Sequence, residues 1–143
     1  MRLTRFSDYA MRVMIDLGRR PGELCSIAAL AQAHGISQNH LMKVVSNLVN
    51  AGYLESVRGR AGGVRLARAP ETINVGAVLR HTEDDLRLVS CGDCILARGC
   101  GFEGVLGQAM GAFLTVLDRY TLKDLLTGWR DVLGTSDPRD DQV

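Results

Sequence analysis

The chain has 143 residues, 46% of them hydrophobic, a formal net charge of +1 and four cysteines, enough for one domain, or one domain with an extension, and a real core. Met1-Arg2-Leu3-Thr4-Arg5 leads into no signal-peptide apolar run, and no stretch approaches the roughly 18 apolar residues of a membrane span; a cytoplasmic protein with reduced thiols is expected. Residues 1–68 carry ten Lys/Arg against four acids, and residues 69–143 carry seven against twelve, so a polyanion should meet the front half only.

In chain order, Ser7 reads as an N-cap with Asp8 in the first turn, followed by Tyr9, Ala10, Val13, Met14 and Leu17 at helical spacing up to Gly18. Pro21-Gly22 is a turn. Ser26 caps a second helix to about His34, with Ile27, Leu30 and Ala31 on one face. After Gly35-Ile36, Ser37 caps a third helix from Gln38 to Ala51, with Leu41, Val44, Val45 and Leu48 inward and Gly52 as its left-handed stop. Two short helices joined by a tight glycine turn make a helix-turn-helix. Tyr53–Val57 and Val64–Ala67 read as strands flanking a glycine-rich tip, Arg58–Gly63, and a basic hairpin in this place is a wing.

Asn74 caps a helix through Val75, Val78 and Leu79. A longer helix, about Phe102 to Asp118, carries a single apolar stripe of Phe102, Val105, Leu106, Ala109, Phe113, Val116 and Leu117, with Gly104, Gly107 and Gly111 opposite. Thr121 and Asp124 predict a capping box for a last helix with Leu122, Leu125 and Leu126. The expected fold is mainly α with a small β wing: a winged helix-turn-helix over 1–82, a cysteine loop over 83–101, dimerisation helices over 102–133 and a disordered tail over 134–143.

In a helix-turn-helix, the start of the second helix reaches base edges in the major groove. Here that segment is Gln38, Asn39 and His40, with Lys43 a turn later. Gln and Asn pair bidentately with adenine, and Lys binds guanine or phosphate. On the wing, Arg58, Arg60 and Arg65 suit phosphates or a narrow minor groove, and Gly59 lets the backbone approach. The tip lies between strands and opens no helix, so a nucleotide-binding loop is a poor reading.

Cys91, Cys94 and Cys100 crowd one stretch, spaced Cys-x2-Cys-x5-Cys, while Cys25 stands alone as a small buried hydrophobe. Three soft ligands are one short of the four that zinc or an iron–sulfur cluster takes, and no nearby Cys or His completes the set. The fourth comes from another subunit, or stays labile and leaves a metal open to a small molecule. A thioredoxin-like oxidoreductase is disfavoured by the lack of a βαβ context, and the three histidines form no evident nucleophile–base pair. A zinc-stabilised DNA-binding protein without sensing remains an alternative.

Several segments, in this order, are together specific: Met1-Arg-Leu-Thr-Arg-Phe-Ser-Asp-Tyr, Ser37-Gln-Asn-His-Leu-Met-Lys-Val-Val, Ala51-Gly-Tyr, Val57-Arg-Gly-Arg-Ala-Gly-Gly-Val-Arg-Leu, the cysteine triad, and Leu117-Asp-Arg-Tyr-Thr-Leu-Lys-Asp-Leu. Through them the chain resembles the IscR/NsrR/RirA family of bacterial winged-helix iron–sulfur regulators over about residues 1–130, and within it the nitric-oxide-sensing NsrR branch. IscR-type members carry a histidine ligand three residues beyond the last cysteine, where this chain has Glu103. The resemblance implies a homodimeric repressor that binds an inverted-repeat operator in double-stranded DNA. It implies an iron–sulfur cluster, [4Fe-4S] or [2Fe-2S], held by Cys91, Cys94 and Cys100 with Asp8 of the partner subunit as fourth ligand, and nitric oxide as the signal. An iron- or redox-responsive regulator is the alternative within the family. The first cysteine gap, two residues, is shorter than the family's usual one, which leaves nuclearity, zinc and a thiol switch open.

Overall fold

The first helix, α1 (Arg5–Gly18), starts at Thr4, whose hydroxyl accepts the Ser7 N–H at 3.3 Å. The cap expected at Ser7 therefore lies one turn earlier. Ser7 is buried inside the helix, and its hydroxyl donates to the Thr82 hydroxyl at 2.8 Å, because a buried hydroxyl needs a partner. The structure is a computed structural model that describes residues 1–127. Residues 128–143, including the tail expected over 134–143 and the end of the segment 102–133, lie outside the described residues.

Ala10, Val13, Met14 and Leu17 of α1 are buried at helical spacing and meet the buried side of the next two helices. Those helices are α2 (Ile27–His34), capped by Ser26 to the Ala29 N–H at 3.1 Å, and α3 (Gln38–Asn50), capped by Ser37 to the His40 N–H at 3.2 Å. Gly35, at φ 64°, makes the left-handed turn between them. Leu41, Val44, Val45 and Leu48 of α3 are buried as the pattern predicts.

The wing pairs β1 (Leu54–Val57) with β2 (Gly63–Leu66) antiparallel, Glu55 opposite Arg65 and Ser56 opposite Val64. Cys25 adds a third rung by exchanging backbone hydrogen bonds with Val64 at 3.0 and 2.8 Å. That approach explains Gly63, where a Cβ would lie 2.6 Å from the Cys25 carbonyl oxygen. It also explains a small buried side chain at Cys25.

After a single 3-10 turn at Pro70–Thr72, α4 (Val75–Thr82) is capped by Asn74 to the Ala77 N–H at 2.9 Å. The chain leaves this module through the cysteine loop and returns along α5 (Phe102–Leu117). It docks α6 (Leu122–Leu126) back on α1, with Leu122 buried in the core and Leu126 against Gly18. The Thr121–Asp124 capping box is present. The return is pinned at a joint. Arg80 holds Asp118 through two hydrogen bonds of 2.6 and 2.7 Å, and Asn74 Nδ2 donates to the Asp118 carbonyl at 2.8 Å.

The apolar stripe expected along α5 splits, and Met110 and Leu114, outside that expected stripe, join its more covered half. Leu106, Met110, Leu114 and Leu117 are half-buried, whereas Phe102, Val105, Ala109, Phe113 and Val116 form an exposed line. No residue of α5 is buried. Among the described residues no helix is long and apolar enough to cross a membrane.

Candidate nucleic-acid interface and metal centre

Gln38, Asn39 and Lys43 are exposed at the start of α3, on the side away from its buried residues. His40 is half-buried, its ring edge-on to Tyr9 of α1 with centroids 5.0 Å apart and planes at 72°. It thus braces α3 on α1. Arg58, Gly59 and Arg60 are exposed at the wing tip, and Gly59 takes φ 108°, which side-chain-bearing residues rarely adopt. Arg65 pairs with Glu55 directly across the hairpin, so reaching a phosphate requires it to exchange that partner. Met42, one turn after Gln38, is exposed on the same face of α3.

The helix-turn-helix is latched to α1 by a second polar contact. Asp16 accepts from Arg20 at 2.6 Å and meets the His34 ring at 2.8 Å. Burial pushes the Asp16 carboxyl up, but the hydrogen bonds and charges of Arg20 and His34 outweigh it and hold the group below the usual carboxylate value.

In the cysteine loop, turns close from Cys94 N–H to Cys91 carbonyl at 3.2 Å and from Ala97 N–H to Cys94 carbonyl at 3.2 Å. Cys91 is half-buried, and Cys94 and Cys100 are exposed. Burial pushes the Cys91 thiol up, followed by the charges of Glu103, Cys94 and Cys100 and a hydrogen bond with Glu103. A bound cation would relieve the repulsion that an ionised Cys91 meets from these neighbours. Among the described residues no three His, Cys, Asp or Glu side chains converge as a single-ion site requires. Three thiols in one loop are soft donors of the kind that an iron–sulfur cluster or a zinc ion takes.

Asp8 lies in the first turn of α1 and is engaged on both oxygens by Arg12, at 3.0 and 2.8 Å. The loop and α1 meet at Glu83, whose Oε1 accepts from the Thr4 N–H and hydroxyl. An open groove of about 510 Å³ runs between Met1–Leu3, Glu83–Leu88 and the Ala109, Met110 and Phe113 side of α5.

Residues 3–128 match Rrf2, a family described as an iron-dependent transcriptional regulator. The chain is similar to the HTH-type transcriptional regulator NsrR of Bacillus subtilis (strain 168), 48% identical over 139 residues that cover 93% of this chain and 95% of that protein. It is similar to the HTH-type transcriptional regulator NsrR of Bacillus licheniformis, 49% identical over 132 residues, 88% of this chain and 92% of that one. Among solved structures it is similar to T. potens IscR, with TM-score 0.74 and 27% identity over 98% of this chain and 96% of the other. It is also similar to CymR, the global cysteine regulator of B. subtilis, with TM-score 0.72 and 30% identity over 89% and 97% of the two chains.

Proposed function

The chain belongs to the Rrf2 family of iron-dependent transcriptional regulators, and on that premise we propose that it is a cytoplasmic, homodimeric repressor whose iron–sulfur cluster senses nitric oxide and which leaves its promoters when that gas attacks. The family and the named relatives regulate transcription, so the chain is a transcriptional regulator, not an enzyme. The finer reading rests on the resemblance to the nitric-oxide-sensing branch and on one structural observation. The first turns of α1 touch both ends of the device: Thr4 is held by Glu83 at the head of the cysteine loop, and Tyr9 meets His40 at the head of α3.

Cys91, Cys94 and Cys100 would hold the cluster, with Asp8 of the partner subunit as the fourth donor. Bound there, it supplies iron with one weak oxygen ligand, open to a diatomic gas. The exposed apolar line of α5 pairs two copies about a two-fold axis. Asp8, given to the partner's loop, would anchor α1, which already carries His40 through Tyr9, so that the two recognition helices stand about 34 Å apart to read an inverted repeat. Gln38, Asn39 and Lys43 read bases, while Arg58, Gly59, Arg60 and Arg65 meet the backbone. When Asp8 is released it returns to Arg12, α1 loses its anchor and the spacing relaxes. A hundredfold loss of operator affinity needs only about 2.7 kcal/mol of difference between the two arrangements.

The test is anaerobic reconstitution, nitric oxide titration and a mobility shift on the selected operator. Loss of the shift at stoichiometric gas supports the reading; equal binding before and after overturns it. Iron chelation that releases DNA while nitric oxide does not would favour an iron- or redox-responsive regulator. A colourless, zinc-containing protein would remove the cluster.

A further inference from the structure

The exposed face of α3 holds one large apolar side chain among polar ones. Met42 keeps 49% of its surface exposed. It follows Gln38 by one helical turn, and Gln38, Asn39, Met42 and Lys43 fall within a single arc of roughly 140°. The opposite arc is filled by Leu41, Val44, Val45 and Leu48, so Met42 takes no part in the core. Among the described residues, the other large hydrophobics that stand exposed belong to the N-terminal arm, the wing, the cysteine loop and α5. Met42 is therefore an isolated apolar group on a polar, DNA-facing surface, not the edge of a protein-docking patch.

Apart from the small C5–H of cytosine, the major-groove edge offers donors and acceptors and one sizeable apolar group, the 5-methyl of thymine. Gln38 and Asn39, on either side of Met42, have the side-chain chemistry that pairs with adenine, and every adenine brings a thymine methyl into the same groove. A thioether on three rotatable bonds adapts to such a methyl without demanding one geometry.

We infer that Met42 reads a thymine by packing against its 5-methyl group, which makes it a specificity-determining residue of α3. This rests on the reading of α3 as the base-contacting helix. Burying a methyl is worth about 0.8 kcal/mol, hence about fourfold in affinity per half-site.

The experiment uses the full-length, anaerobically loaded protein. Wild type and Met42→Ala each select from a pool of random duplexes, and the repeat chosen by wild type is then remade with deoxyuridine in place of thymine, one symmetric position at a time. At one position, deoxyuridine should weaken wild type by about fourfold per half-site and leave Met42→Ala unchanged. Met42→Ala should lose thymine preference there, and Met42→Leu, which keeps an apolar contact, should retain it. If Met42→Ala selects the same thymine and is equally sensitive to its methyl, the inference is overturned while the base-contacting role of α3 stands. If wild type enriches no repeat, that role falls and Met42 falls with it.

Discussion

Glu83 caps the first helix of its own chain: its Oε1 accepts the Thr4 backbone N–H at 2.8 Å and the Thr4 hydroxyl at 3.0 Å. One residue earlier, Thr82 accepts the buried Ser7 hydroxyl. The head of the cysteine loop is thus fastened to the helix that carries Asp8 and Tyr9. Glu83→Ala should lower stability by about 1 kcal/mol, the usual worth of a helix cap. If the fastening also carries the signal, it should narrow the ratio of operator affinities with and without nitric oxide. Urea melts and paired mobility shifts measure the two effects separately.

If Asp8 is a cluster ligand, as proposed, Arg12 competes with the cluster for it. The Asp8–Arg12 pair is half-exposed, and such i,i+4 pairs contribute about 0.5 kcal/mol. Arg12→Gln frees the carboxylate and should make the loaded protein about twofold less sensitive to nitric oxide, with fold stability nearly unchanged. Asp8→Asn should do the opposite, weakening cluster retention. Release of iron to a chelator reads both variants.

The Asp16 latch sets an acid limit. Its carboxyl is held below the usual value by Arg20 and His34 against the opposing effect of burial, so folding favours the ionised form. Its contribution is complete above the ordinary Asp range and drains away as pH falls through the lowered value, below that range. Asp16→Asn should cost about 1 kcal/mol at neutral pH, as for a partly exposed pair, and nearly nothing once the carboxyl is protonated. Denaturant midpoints of both proteins across the acid range test the sign.

What was legible in the sequence was local. Ser26, Ser37, Asn74 and the Thr121–Asp124 box all cap where expected, because a cap is decided within four residues. Ser7 was misread because Thr4 and Ser7 are both good caps, and Thr82 and Glu83, more than seventy residues away, decide between them. The α5 wheel gave the apolar residues but not which of them their own chain covers. Gly63 reads as a turn glycine until Cys25 is seen beside it. The helix at α3 was legible from its cap and apolar spacing; the turning of His40 onto Tyr9 and the pairing of Arg65 with Glu55 were not, since both depend on tertiary neighbours.

Gly76 guards the joint between α4 and α5. A Cβ there would fall 2.0 Å from Asp118 Oδ1, the carboxylate that Arg80 grips. Gly76→Ala must push Asp118 away and break the pair, although alanine favours the helix itself by about 1 kcal/mol. The two effects should leave overall stability within about 1 kcal/mol of wild type while loosening α5. Faster amide exchange at Asp118–Thr121, with exchange at the α3 core unchanged, is the expected result.

The exposed line of α5 makes a prediction about salt. Two modules acting together neutralise about 6–10 phosphates, so log affinity should fall against log salt with a slope of about −5 to −9. Phe113 lies on that line and is 42% exposed, so Phe113→Glu leaves the monomer's own core alone and places a charge where the proposed dimer would bring two copies together. The variant should elute as a monomer, and its salt slope should drop to about half, because each chain then neutralises only its own phosphates. A monomer that keeps the full slope would mean that a single module makes all the backbone contacts, and that α5 does not bring two recognition helices to one duplex.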